Sequence, residues 1–143
     1  MKMLLFAFIT FSSLFSHCCD AATFAYRALS NGNYVIDMTG EITSGDHIRL
    51  LSIIKSEPAK FLGTTTISLH SPGGSVQEAI SISELLRQSG ISIGVESDQT
   101  CASSCFLIWV AADFRLSFFS SHIVIPRPYF SAESITVGNF KEK

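Results

Sequence analysis

Two short stretches hold the residues best suited to chemistry, residues 71–76 (Ser-Pro-Gly-Gly-Ser-Val) and 101–105 (Cys-Ala-Ser-Ser-Cys). The first follows an apolar, β-branched run and opens a helical pattern, so its backbone N–H groups lie at the positive end of a helix, where they can stabilise an oxyanion. The second places Ser103 at the start of another apolar helix, where a hydroxyl nucleophile is well presented. Together the two stretches predict a site for acyl transfer.

The elements that must position these residues alternate between strand and helix along the chain. Predicted strands lie at 34–38, 64–69, 91–95, 115–119 and 122–125, and predicted helices begin near residue 46 and cover 76–89 and 103–112. This order is typical of an α/β domain built on a parallel sheet. Ligands of such sheets bind beyond the carboxyl ends of the strands, which is where both Gly74 and Ser103 lie.

Length and composition limit the class of protein. The 143 residues suffice for one domain, and a hydrophobic content of 47% favours a globular core. The net charge is −2 and no basic stripe is visible, so we expect no nucleic-acid partner. We also expect no metal site, because His and Cys do not occur at ligand spacing, and no cofactor.

Residues 1–21 have the outline of a secretory signal. Lys2 precedes an apolar run at 4–15, and Cys19 and Ala21 are small residues at the −3 and −1 places of a cleavage after Ala21. A cleaved signal predicts a periplasmic or secreted protein. The alternative is an uncleaved N-terminal anchor, which would tie the chain to the inner membrane, although the run is short for a membrane span.

Cleavage would leave two cysteines, Cys101 and Cys105, in the mature chain. A cysteine pair in an exported protein suggests a disulfide. Four residues along a helix would place the two Cα atoms about 6 Å apart, within the range that a disulfide spans. The alternative is a pair of small buried thiols.

A family resemblance rests on residues 69–76 and 101–105 together with 127–130 (Arg-Pro-Tyr-Phe). In this order they resemble the ClpP/crotonase superfamily, and in particular its periplasmic ClpP-like serine protease branch. The resemblance covers about residues 35–130. It implies an α/β fold of ββα-type units, with a mostly parallel sheet flanked by helices. A domain at 22–130 would then be followed by a loose tail at 131–143, with the family's C-terminal elements missing.

The resemblance also implies roles for individual residues. Ser103 would be the nucleophile, and the amides of Gly74 and Ser104 would form the oxyanion hole. The substrate would be a peptide or another acyl compound, and the chain would form a homo-oligomer as superfamily members usually do.

The general base departs from the family pattern. Pro126 stands where relatives carry the catalytic histidine. His70 and His122 are the candidates for a substitute base, and Lys141 could serve in a serine–lysine dyad like that of signal-peptide-peptidase-like relatives.

Three interpretations follow. The chain is a serine peptidase or hydrolase, a pseudoenzyme that binds without turnover, or a truncated copy acting at most as a binding or structural domain. A crotonase-type acyl-CoA enzyme shares the oxyanion chemistry but fits an export signal poorly.

Overall fold

The computed structural model describes residues 21–125. The strands are β1 (Thr23–Ala28), β2 (Tyr34–Thr39), β3 (Thr64–His70), β4 (Ser92–Val95), β5 (Thr100–Ala102), β6 (Arg115–Ser117) and β7 (His122–Val124). The helices are α1 (Asp46–Ser56), α2 (Pro58–Leu62), α3 (Val76–Arg87) and α4 (Ser104–Val110).

The main sheet has five strands in the order β1-β2-β3-β4-β6. Only the β1–β2 pairing is antiparallel, and the other three pairings are parallel. The predicted mixed α/β fold with a mostly parallel sheet is therefore confirmed. Because parallel strands end at the same edge of a sheet, β3 and β4 deliver the segments that follow them to one side of the molecule.

A second sheet of two parallel strands, β5 and β7, lies beyond that edge. Two isolated bridges join neighbouring segments there, one between Ser71 and Cys101 and one between Ile42 and Gly74. The β4-β5-α4 segment thus contributes one strand to each sheet and then a helix, which is the ββα-type unit that the resemblance implies. This second layer carries the candidate site.

The core lies between the main sheet and the helices. Strand neighbours that share the inner face are apolar and buried, as in the pairs Ile36–Ile67 and Met38–Leu69. Helix α3 packs against both α1 and α4 and contributes buried side chains. The alternate residues of the same strands, such as Asp37 and His70, face a polar cleft instead. This alternation is the period-two pattern of strands with one buried face.

The structure corrects several element assignments. β1, α2 and β5 were not predicted. β1 is an antiparallel edge strand, and β5 has only three residues, so both depend on pairing with distant segments. α4 covers 104–110 rather than 103–112, and Val110 at its end is exposed.

β6 is an edge of the main sheet, and β7 pairs only with β5 among the described residues. Large apolar side chains in and around these two strands are exposed: Phe114, Leu116, Phe118, Phe119, Val124 and Ile125. Within the described range, no helix has the length and apolar character needed to cross a bilayer. The signal segment, Pro126 and the predicted tail lie outside the described residues, apart from Ala21, and those assignments stay predictions.

Candidate active site

The turn after β3 presents two glycines at the start of α3. Gly73 and Gly74 have φ of 104° and 139°, a region that favours glycine. The Ser71 hydroxyl accepts a hydrogen bond from the Gly73 amide at 3.1 Å. The Ser75 hydroxyl caps α3 by accepting from the Glu78 amide at 3.2 Å. The turn is therefore held at both ends by serine side chains.

Gly74 lies directly against the backbone of Ile42. The Ile42 amide donates to the Gly73 carbonyl at 2.7 Å, and the Ser75 amide donates to the Ile42 carbonyl at 2.8 Å. An ideal Cβ at Gly74 would lie 2.2 Å from the Ile42 carbonyl oxygen, so only glycine fits. The Gly74 N–H makes no hydrogen bond to residues 21–125 and belongs to an exposed residue. It is available to an external acceptor.

Ser103 occupies a strained turn between β5 and α4. Its φ of 54° and ψ of −126° lie where non-glycine residues are rare. Such a conformation costs about 1–3 kcal/mol and persists only when the surroundings impose it. A serine on a sharp strand-to-helix turn is the arrangement that exposes a nucleophile in hydrolases of another fold. Ser103 is exposed, and its Oγ makes no hydrogen bond within the described range.

The two turns touch each other. An ideal Cβ at Gly73 would lie 2.6 Å from the Ser103 Cβ and 3.1 Å from the Ser104 nitrogen. Two hydrogen bonds hold the segments in this register, from the Ser71 amide to the Thr100 carbonyl at 2.8 Å and from the Ala102 amide to the Ser71 carbonyl at 3.0 Å. The structure thus brings together the glycine turn, Ser103 and the first amide of α4.

Ser104 is the first residue of α4, so its N–H has no partner within the helix. It makes no backbone hydrogen bond elsewhere in residues 21–125. The Ser104 hydroxyl is buried and also lacks a partner among those residues. The Ser104 amide therefore follows Ser103 directly, and the Gly74 amide belongs to the glycine turn whose Gly73 backbone lies against Ser103.

Cys101 and Cys105 form a disulfide with a Cα–Cα distance of 5.3 Å. Both cysteines are completely buried. The reasoning from a helical spacing was wrong, because Cys101 lies on β5 and only Cys105 lies on α4. The covalent link therefore encloses the turn at Ser103 rather than one turn of a helix.

His70 makes no hydrogen bond to Ser103 in residues 21–125. Its Nδ1 accepts a hydrogen bond from the Thr100 amide at 3.0 Å, which leaves Nε2 to carry the proton in the neutral ring. The ring lines a polar cleft of about 190 Å³ with Asp37, Glu96 and Arg27. Hydrogen bonds to Asp37 and then Glu96 raise the pKa of Arg27. His70 thus belongs to this charged cleft, and Ser103 does not line it.

His122 is also separated from Ser103. It is paired with Thr100, and the strand then advances so that Val124 is paired with Ala102. At about 3.3 Å per residue, His122 lies roughly 10 Å short of the level of Ser103. Pro126, which stands where relatives carry the catalytic histidine, and Lys141, the candidate lysine of a dyad, lie outside the described residues.

A metal or cofactor site is not evident in the described part of the chain. Residues 21–125 contain no group of three or more His, Cys, Asp or Glu side chains placed to hold a metal ion. The larger cavity, of about 410 Å³, lies between α3 and α4 and is lined mainly by Ile80, Leu107, Ala111 and Arg87. It does not include Ser103 or Gly74.

Similar proteins are found among solved structures but not among family models or curated proteins. No protein-family model matches the sequence. No curated protein matches it. Among solved structures, a serine-to-alanine mutant of the 1510-N membrane-bound stomatin-specific protease is similar, with 20% identity and a TM-score of 0.51 over 64% of this chain and 46% of the protease.

The fold is of the ClpP/crotonase type. A lysine-to-alanine mutant of the same protease in complex with a substrate peptide has 21% identity and a TM-score of 0.47, covering 64% of this chain and 43% of that one. A protein assigned as an enoyl-CoA hydratase from Streptomyces coelicolor A3(2) has 12% identity and a TM-score of 0.42, covering 82% of this chain and 52% of that one. This chain therefore spans about half the length of each.

In this ClpP/crotonase-type fold, a buried carboxylate that the sequence did not single out joins the helix after the glycine turn to α1. One oxygen of Glu78 accepts a hydrogen bond from the His47 amide at 2.7 Å and lies 2.6 Å from His47 Nδ1. Glu78 thus ties α3 to the first turn of α1, just after the Ile42 segment. The spacing Ser75-x-x-Glu78 is a capping-box pattern, which could have signalled a role for Glu78 within α3. The Ser75 amide instead donates to Ile42.

The ionisation of Glu78 makes this contact sensitive to pH. Burial alone would raise the pKa of Glu78, but hydrogen bonds from His47 and from the Gly45 amide lower it below its ordinary value of 4.5. A lowered pKa means that the folded state holds the carboxylate better than the unfolded chain does. The stabilisation is therefore complete above pH 4.5 and is lost as the pH falls through the folded-state pKa.

We expect Glu78→Gln to lower the free energy of unfolding at pH 7 by about 1–3 kcal/mol, because a charged hydrogen-bond acceptor is lost from a buried site. The variant should also show a shallower loss of stability below pH 4.5 than the wild type. Denaturant unfolding between about pH 3 and about pH 7 measures both effects. Glu84→Gln, on the exposed side of the same helix, is the matched control and should change neither.

The strain at Ser103 predicts different stabilities for two small substitutions. Ser103→Gly should be more stable than Ser103→Ala by about 1 kcal/mol, because glycine adopts a φ of 54° without a steric penalty. Thermal or denaturant unfolding of the two variants measures the difference. An alanine variant as stable as the glycine variant would show that this turn relaxes to an ordinary conformation.

Proposed function

We propose that this chain is an exported, ClpP-like serine-type hydrolase in which Ser103 attacks an acyl carbonyl, with peptides as the substrate class. The observation that carries the proposal is the contact between two turns. The Gly73 backbone lies against the Ser103 Cβ and the Ser104 nitrogen, so the exposed Ser103 hydroxyl belongs to the same pair of touching turns as the Gly74 and Ser104 amides, which have no hydrogen-bond partner in residues 21–125. Similarity of fold to a protease favours a peptide substrate.

The proposed chemistry uses these groups in sequence. The Ser103 Oγ forms a bond to the acyl carbon, and the carbonyl oxygen takes up the electron pair as a tetrahedral oxyanion. The amides of Gly74 and Ser104 donate hydrogen bonds to that oxygen. Fixed donors of this kind are effective because they need no reorganisation during the reaction, and loss of one donor slows catalysis by about 100- to 1000-fold.

The proton of Ser103 must pass to a base before or during the attack. Neither His70 nor His122 is hydrogen-bonded to Ser103 in the arrangement of residues 21–125. We therefore assign no base among these two histidines, and the serine–lysine dyad with Lys141 stays a prediction.

Labelling by a fluorophosphonate tests the proposal. Folded wild-type protein should be modified at Ser103, as mapped by mass spectrometry of its peptides, and Ser103→Ala should not be modified. The His70→Ala and His122→Ala variants should keep the labelling rate within about twofold, because neither ring reaches the hydroxyl. A loss of about 100-fold in either histidine variant would identify that ring as the base and contradict this assignment.

The same experiment distinguishes the second candidate function. If folded wild-type protein is modified no faster than Ser103→Ala, the chain does not work as a hydrolase, and a non-catalytic binding domain is the better account. A folded state must be verified by a cooperative thermal transition in the same sample, so that an unfolded preparation is not mistaken for an inactive one.

We propose an exported location on the strength of the disulfide. Buried disulfides form and persist in oxidising compartments and are rare in the cytosol. Expression of the full chain with a C-terminal tag, followed by fractionation, tests the location. Cleavage after Ala21 should give a mature N-terminus at Ala22 in the periplasm or medium, and an uncleaved product in the cytosolic fraction would contradict the exported location.

A further inference from the structure

We propose that the Cys101–Cys105 disulfide is a positioning device that holds Ser103 in its strained conformation. The two sulfur atoms link the strand that precedes Ser103 to the helix that follows it. Both cysteines are completely buried, so each end of the link is anchored in the core, whereas Ser103 between them is exposed. The consequence for activity rests on the proposed function, but the structural claim does not.

The need for such a device follows from what serine ordinarily does at this place in a helix. Serine is a favoured N-cap residue, with an extended backbone and a hydroxyl that accepts a hydrogen bond from an amide of the first turn. Ser103 is the N-cap of α4, yet its side chain makes no capping hydrogen bond. Its φ of 54° also lies outside the ordinary range for that position. The ordinary cap would consume the hydroxyl that the proposed nucleophile needs.

Hydrogen bonds to Ser71 restrain the strand side of the turn, whereas the helix side is held by the packing of α4 against α3 and β5. The bridge to Ser71 fixes the strand through hydrogen bonds at Thr100 and Ala102. On the helix side, α4 has only seven residues, and Ser103 contributes its carbonyl as the acceptor for the Phe106 amide. The disulfide is the covalent contact that fixes the start of α4 relative to β5. Without it, rotation at Ser103 would restore an ordinary N-cap.

The position of the disulfide also argues against a purely stabilising role. In the chain-entropy account, a disulfide restrains the unfolded chain more as the loop it closes grows longer. Here the cysteines are four residues apart, so that contribution is at the low end of its range. A link that restrains the unfolded chain so little is well placed to act on the turn that it encloses.

The test compares the wild type with Cys101→Ala/Cys105→Ala. An intraresidue amide-to-Hα nuclear Overhauser effect at Ser103 is strong for a positive φ and serves as a readout that a merely stabilising link would not change. We expect this signal in the wild type and its loss in the folded double variant. We also expect a fall of about 100-fold in fluorophosphonate labelling of Ser103, as for a misplaced catalytic group.

Ile108→Val is the matched control, because it removes one buried methylene from α4 without altering the turn. It should keep both the signal at Ser103 and the labelling rate. If the double alanine variant does not fold, Cys101→Val/Cys105→Ala takes its place in the test, because valine restores buried volume at position 101. Unreduced peptide maps of the wild type must contain the Cys101–Cys105 cross-link, and their failure to do so would overturn the proposal.

The outcomes separate this inference from the proposed function. A folded double variant that keeps the Ser103 signal and the labelling rate overturns the inference and leaves the proposed function intact. A wild type that is never labelled, with a Ser103 signal that disappears in the double variant, supports the inference and removes the proposed function.

Discussion

Gly74→Ala will lower the free energy of unfolding by about 3–5 kcal/mol and will reduce labelling of Ser103 by at least about 100-fold. The added Cβ would lie 2.2 Å from the Ile42 carbonyl oxygen and 3.0 Å from the Ile42 nitrogen, and these backbone atoms cannot rotate away. Alanine is also strained at a φ of 139°. The substitution must therefore break the Ile42–Gly74 bridge and displace the amide that we place in the oxyanion site.

Gly90→Ala is the matched control for that substitution. Gly90 also has a positive φ, of 67°, but no atom lies within 4 Å of its ideal Cβ. It should cost about 1 kcal/mol through backbone strain alone and leave the labelling rate unchanged. Denaturant unfolding and labelling per folded molecule measure both variants. A Gly74→Ala protein with wild-type stability and labelling would refute the packing of this turn against Ile42.

Gly73→Ala will have its main effect on Ser103 rather than on stability. The new Cβ would lie 2.6 Å from the Ser103 Cβ and 2.8 Å from the Ala102 carbonyl oxygen, so the two turns must separate. We expect a fall of about 100-fold in labelling, since small displacements of a reacting group have effects of that size. The stability loss should be about 1–3 kcal/mol, as for overpacking of a buried site.

The two glycine variants should differ in how far labelling of Ser103 falls relative to the free energy of unfolding. Labelling should fall relatively more than stability in Gly73→Ala, and both should fall steeply in Gly74→Ala. Equal labelling in Gly73→Ala and wild type would mean that the glycine turn and the serine turn do not touch in solution.

Much of the scaffold could be predicted from the sequence because burial imposes a pattern. Apolar, β-branched runs predicted β2, β3 and β4, whose inner-face residues are buried against helices. Helix α3 was predicted from its apolar face. In β1, Phe24 and Tyr26 alternate toward the core, which is the period-two pattern of a strand with one buried face.

The site was predictable as a pair of motifs but not as a geometry. The sequence indicated that Gly74 and Ser103 follow strands of one sheet and hence lie at one edge. In the structure Ser103 instead follows β5 of the second sheet, which lies beyond the edge where β3 ends. The left-handed conformation of Ser103 carries no local signal, because serine at a helix start is usually an ordinary cap. The bridge from Ile42 to Gly74 and the contact from Glu78 to His47 join segments about 30 residues apart, which no local pattern reveals.

The cysteine pair was also predictable as a motif but not as a geometry. Their spacing suggested a disulfide, and the structure contains one. The reason offered from the spacing was nevertheless wrong, because the boundary between β5 and α4 falls between the two residues. The position of that boundary depends on the Ser71–Cys101 bridge, which is a tertiary contact.

The central claim is that the Gly74 and Ser104 amides form one oxyanion site beside Ser103. Its most direct test is the proton chemical shift of these two amides in protein phosphonylated at Ser103. The phosphoryl oxygen of that adduct mimics the oxyanion, and hydrogen bonds from both amides should shift both resonances downfield together. Amides elsewhere, such as that of Gly90, should not move. A shift at Ser104 without one at Gly74, or folded protein that forms no adduct at Ser103, would contradict a shared oxyanion site.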